Sequence, residues 1–352
     1  MKILIIGPDN LTELILVEAL VAQLHKRHKC EVDLLIPEAL HPLVERFPYI
    51  HEVHALPQHS SALALFFARL KLAIQFRKRG YYQAIILQAQ FDYVLFPLIA
   101  GIHRRTAYCS NNLRHFFHRS LTNDCRFGPL FIHGLSFGRQ LDHLLSLANE
   151  PGCVLPEKAR PQLISHDAKR QALLTKHQLL AGVKPLLVVC PGQDNTTSKY
   201  WPAEHFAELI DKKIQSGWQV WLMGEAHDQA IGRDVVRCVG SEGSGTLTNL
   251  MGSLSLLESL DLITLADAVL GLENGFMHLA CALKRPVVAL YGPGSPSFRP
   301  PLTKHFQVLT QGLACKPCGE RSCPREMRVC LNYLRPELVL EALEKLPQPL
   351  WE

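Results

Sequence analysis

The residues best suited to chemistry in this sequence lie between positions 267 and 293. An apolar run over 268–270 leads into the polar loop 273–275, after which apolar residues recur at helical spacing and a second apolar run follows. This order predicts strand, loop, helix and strand. The free backbone N–H groups and the positive end of the helix dipole at such a loop favour a diphosphate. The candidate ligand-binding residues here are Glu273, Asn274, Gly275 and His278.

A second loop of the same kind spans residues 191–202. It leaves a predicted strand, turns at Pro191 and Gly192, and enters a helix that begins near Ala203. Its hydroxyl and ammonium groups could donate to phosphate oxygens, whereas a solvated loop with a helix cap would have the same composition. Two phosphate-type loops at successive strand ends favour the first interpretation. The candidate residues are Gly192, Thr196, Thr197 and Lys199.

The elements that must position these loops alternate between strand and helix in two blocks, separated by the polar segment 156–177. Such alternation predicts parallel sheets with right-handed crossovers. We therefore predict an α/β protein with two Rossmann-like, doubly wound domains, residues 1–165 and 166–335, facing a central cleft that binds the ligand. A C-terminal helix, residues 336–352, is expected to return towards the N-terminal domain.

The composition is that of a globular protein with two domains. The chain has 352 residues, of which 47% are hydrophobic and 20% are charged. A net charge of +5 does not indicate a nucleic-acid-binding protein. No window reaches the roughly 18 uninterrupted apolar residues of a transmembrane helix. Because no signal peptide precedes the first strand, we expect a cytosolic protein whose cysteines are mostly reduced.

A basic and apolar helix in the first block suits an anionic amphiphile. The predicted helix 60–79 combines leucine and phenylalanine with lysine and arginine, and further basic residues follow at 103–105. Apolar side chains beside positive charge are typical of a surface that meets phosphorylated lipid, although a solvated helix face would have the same pattern. The candidate residues for such a ligand are Arg69, Lys71, Arg77, Arg104 and Arg105.

Cysteines are concentrated near the C-terminus with the spacing Cys-x2-Cys-x4-Cys-x6-Cys. Four thiolates this close together could bind a structural zinc or iron ion. Reduced thiols in a tight loop, or a disulfide, would fit the same spacing. The residues concerned are Cys315, Cys318, Cys323 and Cys330.

Several segments together carry a family resemblance. They are PGQDNTTSKYWP, ENGFMHLACALKRPVVALYGP and SPSFRPPL in the second block, KILIIGP and AGIHRRTAY in the first, and the C-terminal RPELVLEAL. These segments resemble the ADP-heptose:lipopolysaccharide heptosyltransferases, glycosyltransferase family 9. The resemblance implies the GT-B fold and an inverting transfer of heptose from ADP-heptose to the lipopolysaccharide inner core, with no cofactor needed for catalysis. It also implies an acceptor carried on lipid A and bound by the N-terminal domain at the inner face of the cytoplasmic membrane.

The resemblance assigns roles to individual residues of the second block. Thr196, Thr197 and Lys199 match the family's phosphate-binding threonine and lysine, so that Lys199 would hold the leaving diphosphate during catalysis. Gly275 and His278 match the loop that binds the diphosphate. The alternative for this histidine, which lies among apolar neighbours, is a buried core residue.

Other positions depart from the family pattern. Glu273 stands where aspartate is usual, and Asn274 where serine or threonine is usual. Glu13 stands at the position of the proposed catalytic base, also usually aspartate. A carboxylate there could remove a proton from the acceptor hydroxyl, whereas an ordinary acid in a helix's first turn is explained by the helix dipole alone. Glu225 and Asp228 compete for the role of the acid near the donor ribose.

We therefore predict a glycosyltransferase that uses ADP-heptose. One alternative is a GT-B enzyme with another nucleotide sugar, either a glycosyltransferase or an epimerase. The other is a non-catalytic relative that keeps the fold for binding. Glu13 and Glu273 favour this non-catalytic alternative, whereas Thr197, Lys199 and His278 oppose it.

Overall fold

The computed structural model divides the chain into two compact α/β units. The first unit comprises Met1–Leu130 and Phe137–Pro161, and the second comprises Phe131–Ser136 and Gln162–Glu352. The structure describes residues 1–57, 62–87, 91–109, 124–127, 131–132, 135–136, 139–149, 154–155, 159–192, 201–240, 246–320, 322–323 and 329–347. No helix within these ranges is both long enough and apolar enough to span a bilayer.

A six-stranded parallel sheet in the order β3-β2-β1-β4-β5-β6 forms the centre of the first unit. Its strands are β1 (Lys2–Ile6), β2 (Glu31–Ile36), β3 (Glu52–Ala55), β4 (Gln83–Ile86), β5 (Arg104–Cys109) and β6 (Asp124–Phe127). Its helices are α1 (Leu11–His28), α2 (His41–Val44), α3 (Ala62–Phe76), α4 (Phe91–Ile99) and α5 (Gln140–Ser146), with short 3-10 turns at Glu38–Leu40 and Arg77–Arg79. The strand order reverses between β1 and β4, as in a doubly wound fold.

The second unit repeats this topology with a six-stranded parallel sheet in the order β11-β10-β9-β12-β13-β14. A two-stranded antiparallel sheet is formed by β7 (Phe131–Ile132) and β8 (Leu135–Ser136). The parallel strands are β9 (Leu186–Cys190), β10 (Gln219–Leu222), β11 (Leu247–Asn249), β12 (Ala268–Leu272), β13 (Val287–Tyr291) and β14 (Phe306–Thr310). The helices are α6 (Asp167–Lys176), α7 (Ala203–Gln215), α8 (Gln229–Cys238), α9 (Leu256–Ile263), α10 (Gly275–Ala282), α11 (Val329–Asn332) and α12 (Pro336–Glu344), with a 3-10 turn at Ala226–Asp228.

Burial and capping explain why the chain forms these elements. β9, β12 and β13 are buried along their whole length, as expected for central parallel strands covered by helices on both faces. Asn10 caps the amino terminus of α1, and its side chain accepts a hydrogen bond from the backbone N–H of Glu13 at 2.9 Å. Lys29 caps the carboxyl terminus and has a left-handed backbone with φ of 49°.

The C-terminal helix α12 packs within the second unit. Val339, Ala342 and Leu343 lie in the apolar core of that unit. The indole N–H of Trp201 donates to the carbonyl of Leu334 just before the helix, at 2.7 Å. The apolar face of α12 is therefore buried against the second sheet, and the expected return of the segment 336–352 towards the N-terminal domain stays a prediction.

A buried carboxylate organises the amino end of the first sheet. Asp33 on β2 is fully buried and lies 3.0 Å from the ammonium of Lys2. Tyr81 donates to it at 2.5 Å, and His51 contacts it at 2.8 Å. Burial by itself raises the pKa of this carboxyl, but the polar neighbours outweigh burial and hold its pKa well below the ordinary value. The main contributors are His54, Tyr81, Lys2 and His51.

We expect Asp33→Asn to lower the free energy of unfolding by about 3 kcal/mol near neutral pH, because it leaves Lys2 beside an uncharged group. A lowered folded-state pKa stabilises the protein above the unfolded pKa of about 4. This stabilisation is lost as the pH falls towards the folded-state pKa, so the difference between the native chain and the variant should shrink in acid. Urea unfolding at neutral pH and at about pH 2–3 measures both effects.

Two further variants make this experiment decisive. Tyr81→Phe removes a single donor and should cost about 1 kcal/mol. Glu45→Gln changes an exposed acid of the same unit and should cost close to nothing. Equal stability of Asp33→Asn and the native chain at neutral pH would contradict the assignment.

Candidate functional site

The predicted loops of the second unit meet where its strand order reverses. β9 and β12 are neighbours in the sheet, with Cys190 paired to Gly271. Because the carboxyl ends of parallel strands share one edge of a sheet, the loops that leave these strands lie together there. Gly192 follows β9 and Asn274 follows β12, and the Asn274 amide nitrogen is 3.0 Å from the carbonyl oxygen of Gly192. The loops thus occupy the position where open α/β sheets bind ligands.

Asn274 fastens the two loops to each other. Its amide donates to the carbonyls of Gly192, at 3.0 Å, and Cys190, at 3.4 Å. Its side-chain oxygen accepts the backbone N–H of Met277 at 2.9 Å and so caps α10. The amide is therefore used to hold loop and helix in place, and Asn274 acts as a positioning residue. A hydroxyl side chain at this position could also cap the helix, but it offers one donor where the amide offers two.

Helix α10 points its amino terminus at this junction. All eight of its residues are buried, so its alignment is set by the core. Gly275 is its first residue and contributes backbone N–H to the unsatisfied first turn, where anions are favoured. His278 lies one turn further and is also buried. The structure thus places Gly275 and His278 on the helix whose amino terminus lies at the site.

Asp228 lies closest to Gly192 among the candidate acids. Its carboxylate occupies the space in which a Cβ on Gly192 would sit, and its side chain is nearly buried. The Glu225 side chain is half exposed and lies 3.3 Å from the Nδ1 atom of His227. The 3-10 turn after β10 therefore turns Asp228 towards the site and leaves Glu225 at its rim. Both acids had been candidates from sequence, and the geometry favours Asp228.

Glu273 is a buried carboxylate at the end of β12. A Cβ on Gly294 would overlap its carboxyl group, so this side chain needs the glycine that follows β13. Arg299 lies 4.0 Å from one of its oxygens. Burial, followed by the charge of Glu273, raises the pKa of Tyr291 well above the ordinary value. Sequence reasoning did not single out Gly294 and Arg299. The Gly-Pro-Gly that follows β13 could have indicated Gly294, and the SPSFRPPL motif contains Arg299.

Thr196, Thr197 and Lys199 lie outside the described residues. The two ends of their loop are nonetheless held, one by the contact between Asn274 and Gly192 and the other by the buried indole of Trp201. Their assignment to phosphate binding stays a prediction.

Glu13 lies at the corresponding point of the first unit, just after the carboxyl end of β1. It stands in the first turn of α1, and its carboxylate accepts a hydrogen bond from the Gln140 amide at 3.3 Å. The side chain is neither buried nor fully exposed. Helix dipole and hydrogen bond orient the carboxylate at the strand edge where ligands of such sheets bind.

The structure places the five basic residues predicted to bind an acceptor in two regions, α3 with the turn that follows it and the start of β5. Arg69 is stacked over Tyr93 at 5.0 Å, and burial lowers its pKa. Arg77 donates to the Ile99 carbonyl at 2.8 Å. The remaining members are Lys71, exposed on α3, and the neighbours Arg104 and Arg105.

The arginines at the start of β5 lie at the opposite edge of the sheet from Glu13. Adjacent residues of a strand point to opposite faces. Arg104 lines a cavity of about 410 Å³ together with Arg27 and His28. Arg105 donates to the Ile102 carbonyl at 2.8 Å. These contacts give several members of the set partners within the first unit, and their assignment to acceptor binding stays a prediction.

The four clustered cysteines are free thiols of intermediate exposure. Within the described ranges no three of their sulfur atoms come within 4.8 Å of one another, and only Asp33, Glu52 and His54 form such a group. Lys316 lies among the thiols, and its ammonium donates to the Tyr291 carbonyl at 2.7 Å. Burial raises the pKa of the Cys330 thiol above its ordinary value, and the charge of Lys316 offsets only part of this increase. The four cysteines are thus free thiols near the Lys316 ammonium, and the structural metal expected at them stays a prediction.

Comparisons with known proteins identify the family to which this chain belongs. Residues 69–328 match the model of glycosyltransferase family 9 (heptosyltransferase). The chain is 30% identical over 352 residues to lipopolysaccharide heptosyltransferase 2 of Salmonella typhimurium, covering 98% of each chain. It is 30% identical over 359 residues to lipooligosaccharide heptosyltransferase 2 of Haemophilus influenzae, covering 98% of this chain and 99% of that one.

A solved structure of Escherichia coli ADP-heptose lps heptosyltransferase II has 29% sequence identity and a TM-score of 0.82, with 98% of each chain covered. The predicted fold class, two doubly wound α/β units of the GT-B type, is thereby confirmed. Family match, full-length relatives and fold agree, and the chain belongs to glycosyltransferase family 9.

Proposed function

We propose that this enzyme transfers heptose from ADP-heptose to the inner core of lipopolysaccharide, with inversion at the sugar carbon. The observation that carries the proposal is the pair of loops fastened by Asn274 at the switch point of the second sheet. The names of its full-length relatives, lipopolysaccharide and lipooligosaccharide heptosyltransferase 2, support the same chemistry.

The donor end of the reaction is assigned to the second unit. Negative charge develops on the leaving diphosphate as its bond to the sugar breaks, so the site must offer donors and positive potential there. The amino terminus of α10 and the backbone around Gly192 supply these, and Thr196, Thr197 and Lys199 are proposed to add side-chain donors. Asp228 is our candidate for the acid at the donor ribose, because it is the acid that contacts Gly192. No metal takes part in this scheme.

The acceptor end is assigned to Glu13. Its carboxylate would take the proton of the attacking hydroxyl as the new glycosidic bond forms. Gln140 holds one carboxylate oxygen and helps to orient the group towards the acceptor. The enzyme would meet this acceptor in the cytoplasm, at the inner face of the cytoplasmic membrane.

The direct test is transfer itself. Purified enzyme, ADP-heptose and a deacylated core acceptor should release ADP and yield acceptor enlarged by one heptose. An epimerase or a transferase for another sugar would use UDP-sugars instead, and a non-catalytic relative would bind nucleotide without turnover. Any of these results would overturn the proposal.

We expect Glu13→Gln to lower turnover by roughly a hundredfold or more, because it keeps the shape of the side chain and removes the base. Donor KM should change little, and Glu13→Asp should retain activity. Steady-state kinetics with each substrate varied provides the measurement. Glu45→Gln, the exposed acid of the same unit, is the matched control. Native turnover in Glu13→Gln would show that Glu13 is only a helix-start acid.

We expect Gly294→Ala to raise donor KM or lower kcat by roughly tenfold, because the new methyl group would displace the Glu273 carboxylate. Adding the shorter Glu273→Asp to that variant should restore much of the loss. The double-mutant cycle in kcat/KM measures this coupling, with Gly312→Ala as the control at an open glycine. Additive effects would mean that the two positions act independently.

The spacing of four cysteines in the sequence is the basis for proposing a structural zinc or iron ion at Cys315, Cys318, Cys323 and Cys330. In the described residues no three of their sulfur atoms lie within 4.8 Å of one another, which disfavours a preformed centre. We expect elemental analysis of purified protein to find well below one equivalent of either metal. Thiol titration after unfolding should find all four cysteines reduced. One equivalent of metal, lost together with stability in Cys318→Ser, would restore the metal hypothesis.

A further inference from the structure

Helix α3 leaves large apolar side chains in solvent. Leu63, Phe67 and Ile74 are 67%, 57% and 51% exposed. Their spacing of four and seven residues places them along one side of the helix. Phe66, also exposed, packs edge to face against Phe67 with ring centroids 5.7 Å apart. An exposed stripe of this kind marks an interaction surface more often than a chance arrangement.

The exposure does not result from loose packing of the helix. Ala73 and Phe76, on the other side of α3, are buried in the core of the first unit. Arg69 is stacked over Tyr93 of α4. The helix is therefore anchored by one face, and the face that carries Phe67 is left available for a partner.

An apolar groove continues this surface towards α4. It has a volume of about 230 Å³ and lies between the two helices. Its lining is aliphatic and aromatic except for a single arginine; the residues are Leu65, Phe66, Arg69, Leu70, Leu95, Phe96 and Ile99. Leu98 of α4 is exposed beside it. The groove extends the apolar surface beyond one helix.

The charges within this helical segment are of one sign. Residues 62–79 contain no aspartate or glutamate but several lysines and arginines. Lys71 and Lys78 are exposed, and each lies four residues after an exposed apolar side chain, Phe67 or Ile74. This arrangement puts ammonium groups at the border of the apolar stripe. It complements an anionic layer that has an apolar interior.

We propose that this surface, the α3 face of Leu63, Phe66, Phe67, Lys71 and Ile74, binds an anionic phospholipid bilayer. The apolar side chains enter the headgroup boundary, and the lysines contact lipid phosphates. The proposal deepens the proposed function and its physiological role rests on it, because an acceptor carried on lipid A is presented at such a surface. A two-fold contact between copies of this chain is disfavoured, since it would bring like-charged lysines together.

The test is cosedimentation of the full chain with vesicles of zwitterionic lipid alone and with vesicles that also contain anionic lipid. We expect binding to the anionic vesicles that weakens with salt. Phe67→Ser should lower the partition coefficient by roughly tenfold or more, since the lost apolar burial is that of an aromatic side chain. Lys78→Glu should lower it at least about fivefold, on anionic vesicles only.

Matched controls come from the second unit. Leu180→Ser changes an apolar residue that is 70% exposed, and Lys169→Glu reverses an exposed charge. Both should bind vesicles like the native chain. Because Leu63 and Phe67 are exposed, their replacement should leave the unfolding free energy within about 0.5 kcal/mol of native.

Native protein that ignores anionic vesicles, or vesicle binding that Phe67→Ser leaves intact, would overturn the proposal. Concentration-dependent dimerisation abolished by Phe67→Ser, without vesicle binding, would assign the face to a second copy instead. Heptose transfer to a soluble acceptor distinguishes failure of the proposed function from failure of this proposal. Phe67→Ser should transfer heptose to a soluble deacylated acceptor at the native rate, and a chain that binds vesicles but transfers nothing would refute only the function.

Discussion

The pairing of β9 with β12 is the constraint on which the proposed donor site depends. These strands are distant in sequence, yet their parallel register brings Cys190 beside Gly271 and so delivers two loops to one edge of the sheet. Asn274 converts this proximity into a fixed geometry, because one side chain caps α10 and also donates to the neighbouring loop. A diphosphate can then meet backbone groups that were aligned before it arrived, which is what electrostatic preorganisation requires.

Glycine shapes the same site by leaving room for carboxylates. Asp228 occupies the space beside Gly192, and Glu273 occupies the space beside Gly294. In each case a carboxylate from one loop packs against the glycine backbone of another loop. The missing side chain of Gly294 thereby leaves room for the glutamate at position 273. This explains how a chain can depart from the usual aspartate and keep a well-packed site.

A network of charged and polar side chains lies at the amino edge of the sheet of the first unit. Asp33 is surrounded by donors there, and Arg79 pairs with Glu52 at 2.6 Å. Glu13 lies at the carboxyl edge, in the first turn of α1. The unit therefore separates a structural polar network from its candidate catalytic edge, while the exposed face of α3 belongs to neither.

The amino-acid sequence by itself determined the alternation of strands and helices and the two doubly wound units, because hydrophobic periodicity and turn residues are local signals. It did not reveal β3 or β14, which are short and only partly buried. Tertiary structure alone decided that α12 packs on the second sheet. It also decided that Asp228 lies beside Gly192 and that Gly294 makes room for Glu273. Each of these depends on which distant segments become neighbours, and that is set by strand order and packing, which no local pattern encodes.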